Sequence, residues 1–286
     1  MLVFGGTRSA SLSWNVAKSM KAEVGKSEIK AFPDGEKYVR INSAVKGREC
    51  TVVQSIRSND DFVELLLMLD TLRDLGANQV HAVMPYLAYM RQDKRFHVGE
   101  ALSAKTILKL LYEVSDSITT INCHFLNEGG EAVYNHIRFM NLDAMPILLG
   151  YVGSKVENPF LIAPDKGSLS FAKAAASQLD CEFDHLSKTR LSGSEVRIDM
   201  KDLDVGGKDV LILDDIISTG GTIVEAAKLI RKGHPSSINV ACVHGLFLNG
   251  IEHFKGEVDR LTSTDTLDNP VSKVSVGDLI GQSILR

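Results

Sequence analysis

The run Val210-Leu-Ile-Leu-Asp-Asp-Ile-Ile-Ser-Thr-Gly-Gly-Thr222 constrains the fold most strongly, because it joins a continuously apolar segment to a helical one through a short acidic, glycine-rich turn. Four apolar residues in succession, Val210 to Leu213, describe a strand covered on both faces, as in a parallel sheet flanked by helices. Ile223, Val224, Ala226, Ala227, Leu229 and Ile230 follow at helical spacing and stop at Gly233. Asp214 and Asp215 thereby fall at the carboxyl end of the strand, where open α/β sheets bind ligands. Ser218, Thr219, Gly220, Gly221 and Thr222 bring hydroxyls and unhindered backbone N–H groups to the start of the helix, an arrangement that binds phosphate. The acidic pair cannot hold the same anion, so a ligand with hydroxyls at one end and a phosphate at the other fits both. Ribose 5-phosphate is such a ligand. The bland alternative is that Asp-Asp caps a helix and the glycines only make a tight turn.

The same strand-to-helix rhythm runs through the chain. Apolar runs near 1–4, 50–54, 79–84, 118–123, 145–149, 160–163, 182–186, 209–213 and 238–243 alternate with helical patterns near 9–22, 60–75, 101–113, 168–179 and 221–232. Such βα alternation predicts parallel sheets. The halves echo each other at an offset of about 158–160 residues, Thr51-Val-Val53 answering Leu211-Ile-Leu213; a diverged duplication would explain the echo, although any two doubly wound domains would share it. The expected fold class is α/β, two similar doubly wound domains with central parallel sheets. Domains are expected over 1–145 and 146–286, the boundary lying near Asp143 to Gly150, where Met145-Pro146 begins a new strand. The tail, 262–286, carries Pro270, Val274, Val276, Leu279 and Ile280 and is expected to return to the first half.

Composition excludes several classes. With 286 residues, 44% hydrophobic and 24% charged, the chain can bury the cores of a soluble globular protein. A net charge of −4 without a Lys/Arg-rich block argues against nucleic acid as a partner. No apolar run approaches the ~20 residues that span a bilayer and no secretory leader is visible, so no membrane partner and a cytoplasmic location are expected. Cys50, Cys123, Cys181 and Cys242 are widely spaced, as reduced core residues are. Gly25-Lys26-Ser27 lacks the earlier glycine of a Walker A loop, Met20 standing there, and no Gly-x-Gly-x-x-Gly turn exists.

Other segments carry chemistry less specifically. Residues 86–100 follow a strand and bring Arg91, Lys94, Arg95 and His97 among amides and acids, which suits a triphosphate or equally a solvated loop. Phe32-Pro-Asp-Gly-Glu36 offers a ring for a base and carboxylates for an exocyclic amine, yet Pro-Asp-Gly reads first as an ordinary hairpin turn. Asp165-Lys-Gly-Ser168 is a strand-to-helix turn fit for pyrophosphate or for capping. His124 closes the strand 118–123, where a lone histidine is more often structural than a metal ligand. Lys188 and Arg190 open the glycine-containing, apolar-poor segment 187–208, which reads as a mobile lid able to close over phosphates.

The turn at 210–222 resembles the phosphoribosyl pyrophosphate loop of type I phosphoribosyltransferases, and the motifs together, over nearly the whole chain and in order, resemble the ribose-phosphate pyrophosphokinase family. The resemblance rests on Phe32, Asp34, Gly35 and Glu36, on Tyr89, Arg91, Gln92 and Asp93, and on His124, Asp165 to Ser168, Lys188, Arg190 and Asp214 to Thr222. It implies a duplicated phosphoribosyltransferase-like fold and transfer of a diphosphoryl group from Mg-ATP to ribose 5-phosphate. ATP would be held by Phe32, Asp34, Glu36, Arg91, Gln92, Asp93 and Arg95. Ribose 5-phosphate would be held by Asp214, Asp215, Ser218, Thr219, Gly220, Gly221 and Thr222, and pyrophosphate by Asp165, Lys166, Gly167 and Ser168. Mg²⁺ would sit near His124 and Asp165, with Lys188 and Arg190 catalytic. The family forms homodimers or larger assemblies in which the Phe32 to Glu36 turn serves a neighbour's ATP site. After His124 the chain reads Phe-Leu-Asn-Glu-Gly-Gly instead of the bacterial and animal Gln-x-Gln-Gly-Phe-Phe, which points to an archaeal-type member and leaves control by phosphate and ADP unimplied. A phosphoribosyltransferase would leave 32–36 and 89–93 without a role, and a non-catalytic homologue would be expected to lack His124, Lys188 or Arg190.

Overall fold

The structure, a computed structural model, describes residues 1–163, 169–185, 187–190, 196–199 and 204–285; for 169–171, 187–190 and 196–199 it describes the backbone alone. The chain forms two compact units, Met1–Ala144 with Asp265–Asp268 and Ser275–Arg286, and Met145–Thr264 with Asn269–Val274.

The first unit runs β1 (Leu2–Gly5), α1 (Ala10–Met20), β2 (Glu23–Val24), β3 (Ser27–Ala31), β4 (Lys37–Ile41), β5 (Glu49–Val53), α2 (Asn59–Asp74), β6 (Gln79–Met84), α3 (Ser103–Val114), β7 (Ser117–Ile121), β8 (Gly130–Tyr134) and β9 (Ile137–Leu142). Its seven-stranded sheet has the order β2-β1-β5-β6-β7-β9-β8, antiparallel only at β8, while β3 and β4 form a separate hairpin. Phe4, Val52, Ala82 and Ile118 from the strands meet Leu65, Leu69 and Leu108 from the helices in one core.

The second unit runs α4 (Met145–Gly153), β10 (Pro159–Ala163), α5 (Leu169–Leu179), β11 (Glu182–His185), β12 (Ser187–Arg190), β13 (Val196–Asp199), β14 (Asp209–Ile217), α6 (Gly221–Arg231), β15 (Ser237–Gly245), β16 (Arg260–Thr264) and β17 (Ser272–Val274). A last helix, α7 (Gly277–Ile284), belongs to the first unit and packs on α1, so closely that a Cβ at Gly277 would stand 2.7 Å from Asn15 Cβ. The second sheet has the order β11-β10-β14-β15-β16-β17, parallel throughout. Its central strands are covered on both faces: Ile162, Ile212 and Val240 pack with α6 residues Ile223, Val224 and Ala227, while the alternate positions Leu161, Leu211 and Ala241 are also buried.

The two units share one connectivity. β2-β1-β5-β6-β7 and β11-β10-β14-β15-β16 are the same strand order, and each inserts an antiparallel pair, β3–β4 or β12–β13, before its third sheet strand in sequence. A common ancestor of both halves accounts for this match.

Three expectations need correction. Residues 145–149 are helical: Pro146 lies in the first turn of α4, where its missing N–H costs nothing, and Met145, Leu148, Leu149 and Val152 bury one face at helical spacing. β14 does not stop before Asp214 but continues to Ile217, pairing Asp214 with Cys242 and Ile216 with His244. The strand before His124 ends at Ile121, leaving His124 in the following turn. Among the described residues, no helix is long and apolar enough to cross a membrane.

Candidate active site

Asp214 and Asp215 lie in the second half of β14, partly exposed, each accepting from the backbone N–H of the next residue at 2.9 and 2.8 Å. Neither caps the helix, so the capping alternative falls. Gly220 is the N-cap residue of α6, at φ 81°, and among the described residues no side chain caps that helix. A side chain at Gly220 would also strike Phe254, its Cβ lying 2.3 Å from that ring, so glycine is required here twice over. Ser218 is tied at its carbonyl by Leu248 N–H at 2.9 Å, and Thr219 and Thr222 are exposed. The turn thus places two carboxylates beside a helix N-terminus whose first N–H groups no side chain caps among the described residues, and those N–H groups favour an anion. Burial pushes the Cys242 thiol well above its ordinary range, and the facing Asp214 carboxylate adds to the effect.

Phe32 to Glu36 form the tip of the β3–β4 hairpin, as the Pro-Asp-Gly signal predicts. Phe32 N–H bonds Glu36 O at 2.8 Å, Glu36 N–H bonds Asp34 Oδ1 at 3.2 Å, and Gly35 takes φ 96° with open space around it. Phe32 remains 46% exposed, a large ring offered to something outside its own unit's core. Arg91 is exposed in the loop after β6. Gln92 and Arg95 are fixed there by Glu100, whose side chain accepts from Gln92 Nε2 (3.2 Å) and whose carbonyl accepts from Arg95 Nε (2.8 Å). Asp93 presents its carbonyl to the Tyr134 hydroxyl. Among the described residues no hydrogen bond or ion pair joins the 32–36 tip to residues 91–95.

His124 is exposed in a turn braced by side chains on either side: Asn141 Oδ1 accepts from Cys123 N–H and Asn122 Oδ1 from Ala144 N–H, both at 2.8 Å. Asp165, Lys166, Gly167 and Ser168 lie outside the described residues. So do most of 191–203, although β12 and β13 pair antiparallel, with Lys188 opposite Ile198 and Arg190 opposite Val196. Among the described residues no three His, Cys, Asp or Glu side chains converge on a metal position.

Sequence reasoning missed two features. Glu100 organises the loop after β6 through the N–H groups of His97 (3.0 Å) and Phe96 (2.7 Å), which hold its carboxyl below the usual range; an acid closing a cationic loop was the available signal. Glu64, at 0% exposure on α2, accepts from Thr7 N (2.7 Å), Thr7 Oγ1 (2.9 Å), Gln54 Nε2 (2.9 Å) and Lys37 Nζ (3.4 Å). A glutamate on the leucine-rich face Phe62, Leu65, Met68, Leu69 was its only signature.

Paired parallel α/β units, each with an inserted hairpin, and a carboxylate pair leading into an uncapped helix define the type I phosphoribosyltransferase class. Residues 1–114 match the N-terminal domain of ribose phosphate pyrophosphokinase, and residues 143–277 match the phosphoribosyl transferase domain. The ribose-phosphate pyrophosphokinase of Methanothermobacter thermautotrophicus is 41% identical over 98% of both chains, and that of Sulfurisphaera tokodaii is 41% identical over 98% of this chain and 97% of its own. A crystal structure of phosphoribosylpyrophosphate synthetase from Mycobacterium smegmatis superposes with a TM-score of 0.83 at 26% identity, covering 100% of this chain and 97% of that one. The chain belongs to the ribose-phosphate pyrophosphokinase family and is an enzyme of that kind. Those two sequence relatives are archaeal, in keeping with the altered loop after His124.

Proposed function

We propose that the enzyme transfers the β,γ-diphosphoryl group of Mg-ATP to the anomeric hydroxyl of ribose 5-phosphate, giving phosphoribosyl pyrophosphate and AMP for nucleotide biosynthesis. The observation that carries this is the turn from Asp214 to Thr222, where two carboxylates adjoin a helix N-terminus that no side chain caps among the described residues. Asp214 and Asp215 accept hydrogen bonds from the ribose 2- and 3-hydroxyls. Ser218, Thr219, Gly220, Gly221 and Thr222 bind the 5-phosphate with backbone N–H groups and hydroxyls. The sugar's anomeric oxygen, held in this way, attacks the β-phosphorus; the bond from that phosphorus to the α,β-bridging oxygen breaks, AMP leaves and the hydroxyl proton is released.

Phe32 stacks on the base, Asp34 and Glu36 accept from its amine, and Arg91, Gln92, Asp93 and Arg95 hold the ribose and phosphates of ATP. Lys188 and Arg190 stabilise charge on the oxygens around the β-phosphorus, and Asp165, Lys166, Gly167 and Ser168 hold the transferred diphosphate. Mg²⁺ would be held near His124 and Asp165, where it would supply charge neutralisation to the triphosphate. Residues 1–145 supply the nucleotide segments and 146–286 the sugar-phosphate and catalytic segments. The exposed Phe32 tip favours a homodimer or larger homo-oligomer in which it reaches a neighbour's nucleotide.

The test is ³¹P NMR with ribose 5-phosphate, ATP and Mg²⁺, omitting each in turn. AMP and a sugar-linked diphosphate are expected. ADP as product would contradict the reaction, and base exchange without ATP would favour a phosphoribosyltransferase.

A further inference from the structure

Resting on the nucleotide role of the Phe32–Glu36 turn, we propose that Lys37 is a positioning residue for ATP: its ion pair with buried Glu64 fixes the hairpin that presents that turn. Lys37 opens β4 immediately after Glu36 and faces Ala31 across the hairpin. Strand alternation sets it on the side of Val39 and Ile41, both packed on the core, so it is the inward-facing cation at the tip end. Its side chain is only 18% exposed, and its ammonium lies 3.4 Å from Glu64 Oε2.

Glu64 cannot yield that position easily. Thr7 N–H, Thr7 Oγ1 and Gln54 Nε2 hold the same carboxylate from β1–α1 and from the end of β5, so four donors fill its acceptor sites. On the opposite face of β4 the neighbouring Tyr38 meets Phe32 edge-on, with ring centroids 5.8 Å apart, and carries Lys30 Nζ 4.5 Å above its ring. At Gly35 the tip is open, since a Cβ there would touch nothing within 4 Å. The first two residues of β4 therefore decide where Phe32, Asp34 and Glu36 are held.

The other unit shows what lacks this anchor. Glu64 is the sixth residue of α2, and the sixth residue of α6 is Ala226, which offers the β12–β13 pair no carboxylate. One inserted hairpin is fastened to its helix by charge, and its counterpart is not fastened at that position. A buried, multiply held pair of this kind contributes geometry more than net stability.

Steady-state kinetics on the full-length enzyme test the proposal. Lys37→Met should raise KM for ATP about five- to tenfold while kcat changes less than about twofold. KM for ribose 5-phosphate should not move, and Lys37→Arg should restore KM for ATP. The double variant Lys37→Met/Glu64→Gln, which leaves no uncompensated buried charge, should show the same raised KM with a wild-type melting temperature. An unchanged KM for ATP in the double variant, or an equal rise in both KM values with a fall in kcat, would overturn the proposal. Phe32→Ala measured alongside separates the two layers. If Phe32→Ala raises KM for ATP and the Lys37 variants do not, the positioning role alone falls. If Phe32→Ala leaves it unchanged, the nucleotide role of the turn falls and the proposal with it.

Discussion

The turn from β5 to α2 and the turn from β14 to α6 are the same supersecondary unit in two states of satisfaction. In the first, Ser58 caps α2 in a capping box with Asp61, and Asp61 Oδ2 accepts from Arg57 N–H at 3.0 Å and Ser58 N–H at 2.8 Å. Arg8 Nε closes on the other oxygen at 3.0 Å. The helix N-terminus therefore already holds an anion, and it is a side chain of the protein. In the second, Gly220 replaces the capping serine, no side chain among the described residues caps α6, and Asp214-Asp215 stand where the first turn has Gln54-Ser55. The difference teaches that the same strand-to-helix turn can either fill its helix N-terminus with its own side chain or leave it open to an anion.

The largest expected break in the comparison comes from Lys188. Lys188→Ala should lower kcat by about 10³-fold with modest change in KM, as removal of a charge-stabilising group does, whereas Arg8→Ala in the other half should leave kcat within about threefold; rapid-quench assays of AMP formation decide it. Next, Asp214→Asn combined with Asp215→Asn should raise KM for ribose 5-phosphate about 10- to 100-fold, from the loss of charge-assisted hydrogen bonds. An unchanged KM would remove the diol role.

Smaller effects sharpen the contrast. Gly220→Ala should cost about 1–3 kcal/mol in denaturant unfolding, because both the positive φ and the Phe254 ring oppose a Cβ. Asp61→Ala should cost about 2 kcal/mol by loss of charged hydrogen bonds while KM for ribose 5-phosphate stays put. Burial raises the Asp61 carboxyl, but Ser58, Arg8 and the Arg57 and Ser58 N–H groups more than offset it, so its folded value lies below the usual range. A depressed carboxylate stabilises fully above about pH 4 and loses that contribution as pH falls through its folded value. The stability gap between wild type and Asp61→Ala should therefore be flat from pH 5 to 8 and close in more acidic solution.

Much of this contrast was legible in the sequence. The apolar run Val210 to Leu213 and the Ser-Thr-Gly-Gly-Thr turn announced a buried strand and a glycine-led helix start, because burial on both faces and glycine at positive φ leave residue-type signatures. The 145–149 segment misled because a short apolar run has the same composition in a buried strand and a buried helix, and Pro146 was the overlooked discriminator. β14 ran past its apolar stretch because pairing with β15 continues where side chains turn polar, which composition does not reveal. Glu64 was invisible for a related reason: a buried carboxylate is defined by donors from residues 7, 37 and 54, distant in sequence.

The most direct test counts ribose 5-phosphate bound per chain by isothermal titration, with Mg²⁺ and a non-reacting ATP analogue present. One equivalent per chain is predicted, retained in Asp61→Ala and lost in the Asp214→Asn/Asp215→Asn variant. Two equivalents in the wild type, or one that survives loss of both aspartates, would contradict the assignment of the sugar phosphate to the β14–α6 turn.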